Sequence, residues 1–124
     1  MEINEDKKGD VVILALSGKL DATSSKAFED SILAVIDAGE RQLVVDLTRL
    51  DYISSSGLRV FLLAAKRLNS ANGKIVLCSL RDLVKEVFDI AGFSSIFSIY
   101  GSREEAITSL QPITRKRGCG IFEI

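Results

Sequence analysis

The spacing of apolar and polar positions predicts elements along most of this chain. A turn at 7–10, Lys-Lys-Gly-Asp, separates two short segments, and Val11, Val12, Ile13, Leu14, Ala15 and Leu16 follow it as a strand. The pair reads as an opening hairpin. Gly18, Lys19, Leu20 and Asp21 leave that strand, and Thr23, Ser24 and Ser25 offer hydroxyls for a helix N-cap. Phe28, Ile32, Val35 and Ile36 then recur at helical spacing as one apolar stripe on a polar helix, with Gly39 placed to close it.

Residues 43–47, Leu-Val-Val-Asp-Leu, form a short apolar run rich in β-branched side chains, the signature of a strand covered on both faces. A loop at 48–53 and a run of serines lead into 58–68, a strong helix former that ends over 69–73. Lys74, Ile75, Val76, Leu77 and Cys78 make another buried strand. Leu83, Val87, Phe88 and Ala91 mark a third helix stopped by Gly92. A short last strand at 96–100 and a last helix at 104–110, halted before Pro112, complete the pattern. Strands alternating with helices after a hairpin predict an α/β fold: a mixed sheet whose parallel neighbours are joined by right-handed crossovers, covered by about four helices. The domain spans 1–112. Residues 113–124 are basic, glycine-containing and without period, which fits a frayed tail or a docking tail.

Composition narrows the chemistry. At 124 residues the chain has room for one domain with a proper core. Its net charge of −1 is spread as interspersed signs, with no basic stripe among aromatics, so nucleic acid is not an expected partner. No apolar run is long enough to span a bilayer, and the acidic start, Met1 to Asp6, is unlike a signal peptide; a cytoplasmic protein is expected. There is no histidine, which removes histidine-based nucleophilic triads and imidazole metal sites. The two cysteines, Cys78 and Cys119, form no CxxC pair: Cys78 reads as a small core residue and Cys119, in the Gly-flanked tail, as either a bystander thiol or a redox-active one. No metal, no cofactor and no enzymatic activity are expected, since neither GxxxxGK[ST] nor GxGxxG is present.

The serine run is the candidate site. Ser54, Ser55, Ser56 and Gly57 stand at a helix N-terminus, where free N–H groups and the helix dipole favour negative charge. A phosphate on one serine would add roughly 1.5 to 2 negative charges there, and Arg59 in the first turn is placed to reach it. Gly57 would let a partner approach the backbone. A plainer reading remains open, in which the serines only cap the helix. A hydrolase elbow does not fit, because Ile53 stands where that motif needs glycine.

The stretch Leu43-Val44-Val45-Asp46-Leu47, continued by Leu50-Asp51-Tyr52-Ile53-Ser54-Ser55-Ser56-Gly57-Leu58, resembles the signature of the STAS-domain anti-sigma factor antagonists. Leu16 to Asp21 is similar to that family's first loop, with its Gly-x-(Leu/Ile)-Asp pattern, and Val84 to Phe93 to its late helix. The resemblance runs from Gly9 to Leu110 in order and spacing. It implies a STAS-type fold and a partner-switching module. Unphosphorylated, such a domain binds an anti-sigma factor that is also a serine kinase and so releases the sigma factor. The kinase then phosphorylates it, and a PPM-type serine phosphatase resets it. By resemblance the phosphoacceptor is Ser55, with Ser54 and Ser56 as lesser candidates, and the partner-binding residues are Asp21, Ser54, Ser56, Gly57, Leu58 and Arg59. Ser54 replaces the acidic residue usual before the phosphoacceptor. That departure keeps a phosphorylation-independent adaptor of a transport, stress-sensing or signalling complex as the alternative. Nothing in the sequence demands more than a monomer when free.

Overall fold

A computed structural model of the chain describes residues 1–110; Cys119 and the basic tail at 113–124 lie outside the described residues. Strand β1 (Glu2–Lys8) turns back antiparallel onto β2 (Val11–Leu20), forming the expected hairpin. Then follow α1 (Ser25–Asp37), β3 (Gln42–Ile53), α2 (Ser55–Ser70), β4 (Lys74–Cys78), α3 (Asp82–Ile90), β5 (Ser98–Tyr100) and α4 (Arg103–Leu110). The sheet order is β1-β2-β3-β4-β5, with β2 to β5 parallel.

That monotonic order decides which face each helix covers. Crossovers of one hand that always step in the same direction deliver their helices to the same face. Accordingly α1, α2 and α3 share one face, packed through Phe28, Ile32, Phe61, Ala64, Val84 and Phe88 onto Val12, Leu14, Leu43, Val45 and Leu77. The last helix has no following strand and takes the other face, where Ala106, Ile107 and Leu110 cover Val11, Ile13, Val44 and Val76. Alternate residues of β2 therefore belong to different cores. This is the physical reason the strand sequences read as continuous apolar runs.

Phe61 is the hub of the larger core. Its ring lies 5.0 Å from that of Phe28 and 5.6 Å from that of Phe88, with Phe97 at 6.2 Å, in tilted or edge-on geometry. On the opposite face Asp46 anchors the start of α4. Arg103 donates to its Oδ2 through Nε and Nη2, both at 2.9 Å. Burial opposes the Asp46 charge, but the Thr48 hydrogen bonds and the Arg103 guanidinium outweigh it and hold the carboxyl below its ordinary value. Cys78 is fully buried on that face, and burial, with the Asp46 charge, pushes its thiol up to about 11. It is the small core residue expected, and an inert one.

Three expectations need correcting. The segment 48–53 is strand rather than loop. Two register shifts, between Ala15 and Ser17 and between Gly18 and Lys19, each give β3 one residue more than β2. Burial there falls on Leu47, Leu50 and Ile53, every third residue, which hides the strand from a search for alternation. In α3 the buried residues are Val84 and Phe88, whereas Leu83 is 69% exposed. The last strand is confined to Ser98–Tyr100, because Phe93–Ser95 forms a 3-10 turn that carries exposed Ile96 outward. Gly39 does close α1: at φ +104° it lets its own N–H and that of Glu40 return to the carbonyls of Ile36 and Val35.

Truncating the aromatic hub tests this packing. Phe61→Ala should lower unfolding stability by about 3–5 kcal/mol, read from urea denaturation, while leaving the far-ultraviolet spectrum of the folded protein unchanged.

Candidate functional site

The carboxyl ends of β2 and β3 lie side by side, Leu20 against Ile53, and the helices that follow them begin there. Such a strand-end rim is where open parallel sheets present their loops. The Ser54 N–H donates to the Leu20 carbonyl at 2.8 Å, which ties the two strand ends together just before α2 starts.

Each serine of the run has a different surrounding. Ser54 is the N-cap of α2, in extended conformation, and its Oγ accepts from the Gly57 N–H at 3.3 Å. Its hydroxyl is also 2.9 Å from that of Ser56. The Ser56 hydroxyl in turn lies 3.2 Å from that of buried Ser25, at the start of α1. Ser25 bonds the Asp21 carbonyl at 2.6 Å. These contacts form a continuous chain from the first turn of α2, through two helix starts, to the loop after β2. Ser55 stands outside it. It is the first residue of α2, it is exposed, and its hydroxyl has no hydrogen-bond partner among the described residues.

The β2–α1 loop is held by Asp21. Oδ1 of Asp21 accepts from the Thr23 N–H at 3.0 Å, the Thr23 hydroxyl at 2.7 Å and the Ser24 N–H at 3.2 Å. The Thr23 hydroxyl, then the Ser24 N–H, hold this carboxyl below its ordinary value against a smaller effect of burial. Ser24 occupies the N-cap position of α1 but makes no side-chain cap; its Oγ donates instead to the Lys19 carbonyl at 2.8 Å. The structure thus joins Asp21 to the serine run through its main-chain carbonyl, while its carboxylate faces its own loop.

Gly57 is buried, and this corrects the expectation that it opens the backbone to a partner. A Cβ at this position would lie 2.8 Å from Leu20 Cγ and 3.1 Å from Ile53 Cγ1. The glycine lets the helix start rest on the strand ends. Leu58 is half-buried against the larger core, and Arg59 is exposed. Between α1 and α2 a groove of about 440 Å³ runs beside the serines, with Val60 and Leu63 in its lining and Lys26, Glu29, Arg59 and Lys66 among its charged residues. No group of three or more histidine, cysteine, aspartate or glutamate side chains placed to hold a metal occurs among the described residues. No helix of the described residues is long and apolar enough to cross a membrane.

Fold and site together define a mixed-sheet α/β domain whose helix-opening serine motif sits at the strand ends. The chain belongs to the STAS domain family, whose pattern matches residues 2–106. It is 45% identical over 111 residues to BtrV of Bordetella bronchiseptica, a protein assigned as an anti-sigma factor antagonist, covering 90% of this chain and 96% of that one. Among solved structures, an assigned anti-sigma factor antagonist of Thermotoga maritima superposes with a TM-score of 0.84 at 23% identity, over 87% of this chain and 93% of that one. The anti-sigma factor antagonist SpoIIAA in its unphosphorylated form gives 0.78 at 23% identity, over 87% and 95% of the two chains. The phosphorylated form of the Bacillus protein gives 0.72 at 21% identity, over 89% and 100%. These structural likenesses carry the fold.

Two measurements probe the site's geometry. Gly57→Ala should cost about 1–3 kcal/mol in chemical denaturation, since both Leu20 and Ile53 are buried and have nowhere to move. The Asp21 carboxyl, followed by carbon-13 NMR, should titrate below the ordinary value of about 3.9, and Thr23→Ala should raise it. A carboxyl lowered by folding contributes its stabilisation above the unfolded pKa and loses it as pH falls through the lower folded one. The loop should therefore stay ordered at neutral pH and loosen only in acid.

Proposed function

We propose that this protein is an anti-sigma factor antagonist, a binding protein rather than an enzyme, whose hold on its partner is switched by phosphorylation of Ser55. The partner in this reading is an anti-sigma factor that is also a serine kinase, and a PPM-type phosphatase resets the cycle. The observation that carries the reading is the division of labour among the serines. Ser54 caps the helix, Ser56 joins the hydrogen-bond chain to α1, and Ser55 alone of the three presents an exposed hydroxyl without an intramolecular partner among the described residues. The 45% identity to BtrV supports the same reading.

The chemistry belongs to the partners. The Ser55 Oγ attacks the γ-phosphorus of ATP on the kinase, its proton passes to a base of that enzyme, and the bond to the departing ADP oxygen breaks. The phosphatase reverses the charge by directing a metal-activated water at the phosphorus, returning the serine hydroxyl and inorganic phosphate. On this chain nothing needs to refold. A phosphate at the centre of a fitted interface opposes binding through desolvation and like charge. Converting a nearly complete complex to a nearly absent one takes about 5.5 kcal/mol of difference between the two states. Taking a phosphate out of water at such an interface is of that order. Asp21, Ser54, Ser56, Leu58 and Arg59 surround the acceptor in this proposal, and Gly57 supports it from beneath.

The test pairs mass mapping with binding. Incubation with the cognate kinase and Mg-ATP should place one phosphate, on Ser55. Ser55→Ala should bind that kinase at least as tightly as wild type, and Ser55→Asp at least tenfold more weakly. Equal affinities of the two variants would sink the switch. A kinase active on another substrate but silent here would favour the phosphorylation-independent adaptor, the reading that Ser54 in place of an acidic residue keeps open.

A further inference from the structure

Arg59 is the fifth residue of α2, one turn in from its start and close to the positive end of the helix dipole. That placement is mildly unfavourable, and no hydrogen bond or ion pair among the described residues offsets it. Arg41, Arg67, Arg81 and Arg103 each bind a carboxylate or a main-chain carbonyl, whereas among the described residues Arg59, like Arg49 on β3, binds neither. There is no acidic residue in the first turn of its own helix. Yet Arg59 stands four residues after Ser55, on the same helical face, and long helical side chains lean toward the N-terminus. With that lean a guanidinium at this position can reach back to the turn that carries the exposed Ser55 hydroxyl, from the groove that Arg59 lines beside Ser56.

Resting on the reading of Ser55 as phosphoacceptor, we propose that Arg59 is the intramolecular clamp for the Ser55 phosphate. An anion at one position with a cation four residues later is the favoured order for a helical pair, because both ends then agree with the dipole once the anion is present. The guanidinium fork matches two phosphate oxygens, and a charge-assisted bond of this kind is about twice as strong as a neutral one. The other two cations on the groove are worse placed. Lys66 lies three helical turns from Ser55, about 16 Å along the axis. Lys26 lines the same groove from α1 but already pairs with Asp30 at 3.1 Å. Glu29 is the carboxylate on that groove, and it belongs to α1 rather than to the helix that carries Ser55 and Arg59.

The clamp gives phosphorylation a second effect. Besides adding charge, the phosphate takes up Arg59, so a carboxylate of the partner that met this arginine in the unphosphorylated complex loses its cation. The phosphate also lies along α2 beside the groove, covering the surface next to the motif. Ser54 fits this arrangement: an acid at that position would compete for the guanidinium and repel the phosphate.

The experiment needs no partner. Phosphoserine is incorporated at position 55 during translation and confirmed by mass, and the second phosphate pKa is read by phosphorus-31 NMR. In wild type it should fall at least half a unit below that of the phosphorylated Arg59→Gln protein, about a threefold change in proton affinity, with the latter near the ordinary value of about 6. Arg59→Lys, which keeps the charge without the fork, should fall between. The Arg59 Nε–H resonance should move at the same midpoint as the phosphorus signal. Equal phosphate pKa values in wild type and Arg59→Gln would overturn the clamp, whether the cause is an extended arginine or an unfolded first turn. Because the phosphate is installed without a kinase, a kinase that ignores Ser55 would defeat the proposed function and leave this comparison standing. Equal pKa values would defeat the clamp and leave Ser55 as acceptor.

Discussion

The first turn of α2 rests on the ends of β2 and β3 at a distance that only glycine allows. With Gly57 there, Leu20 and Ile53 fill the space beneath the helix start. The Ser54 N–H reaches the Leu20 carbonyl at 2.8 Å, and the N-cap geometry follows. The geometry of the serine run hangs from this contact. It sets Ser55 as the first helical residue, facing outward, and turns Ser54 and Ser56 toward the neighbouring loop. A helix seated even an ångström higher would break the chain of hydroxyls to Ser25.

That chain explains how two segments far apart in sequence become one surface. The loop after β2 is shaped from within by the Asp21 carboxylate, which accepts three hydrogen bonds on one oxygen. Hydroxyl links couple the loop to the serine run through the Asp21 carbonyl, Ser25 and Ser56, beside the main-chain bond from Ser54 to Leu20. Neutral hydroxyl links of this sort contribute about 1 kcal/mol each at best. Their value here is positional. They leave one hydroxyl of the run, that of Ser55, outside the network, on a framework already satisfied without it.

The two faces of the sheet divide the work. The larger core, centred on Phe61, packs the three crossover helices whose N-termini start at the strand ends. The smaller core under α4 is closed by Asp46 and Arg103. The groove beside the serines lies between α1 and α2, on the larger-core side. Charge on that surface is then free to change without disturbing the ion pair that anchors the last helix.

Much of this was legible in the residues alone. The alternating elements, the hairpin, Gly39 as the close of α1, buried Cys78 and the helix-opening serine motif follow from local periodicity and turn chemistry, which act within a few residues. The STAS assignment was likewise readable from the motif at 43–58. Tertiary structure decided the rest. The strand through 48–53 was hidden because its bulges turn an alternation into a period of three, and a bulge exists only against a partner strand. Gly57 was read as open to a partner because a sequence cannot show what lies on the other side of a missing Cβ. Three adjacent serines are chemically alike along the chain. The packing of one helix start against another distinguishes the link from the exposed hydroxyl, because the partner of Ser56 lies 31 residues away in sequence.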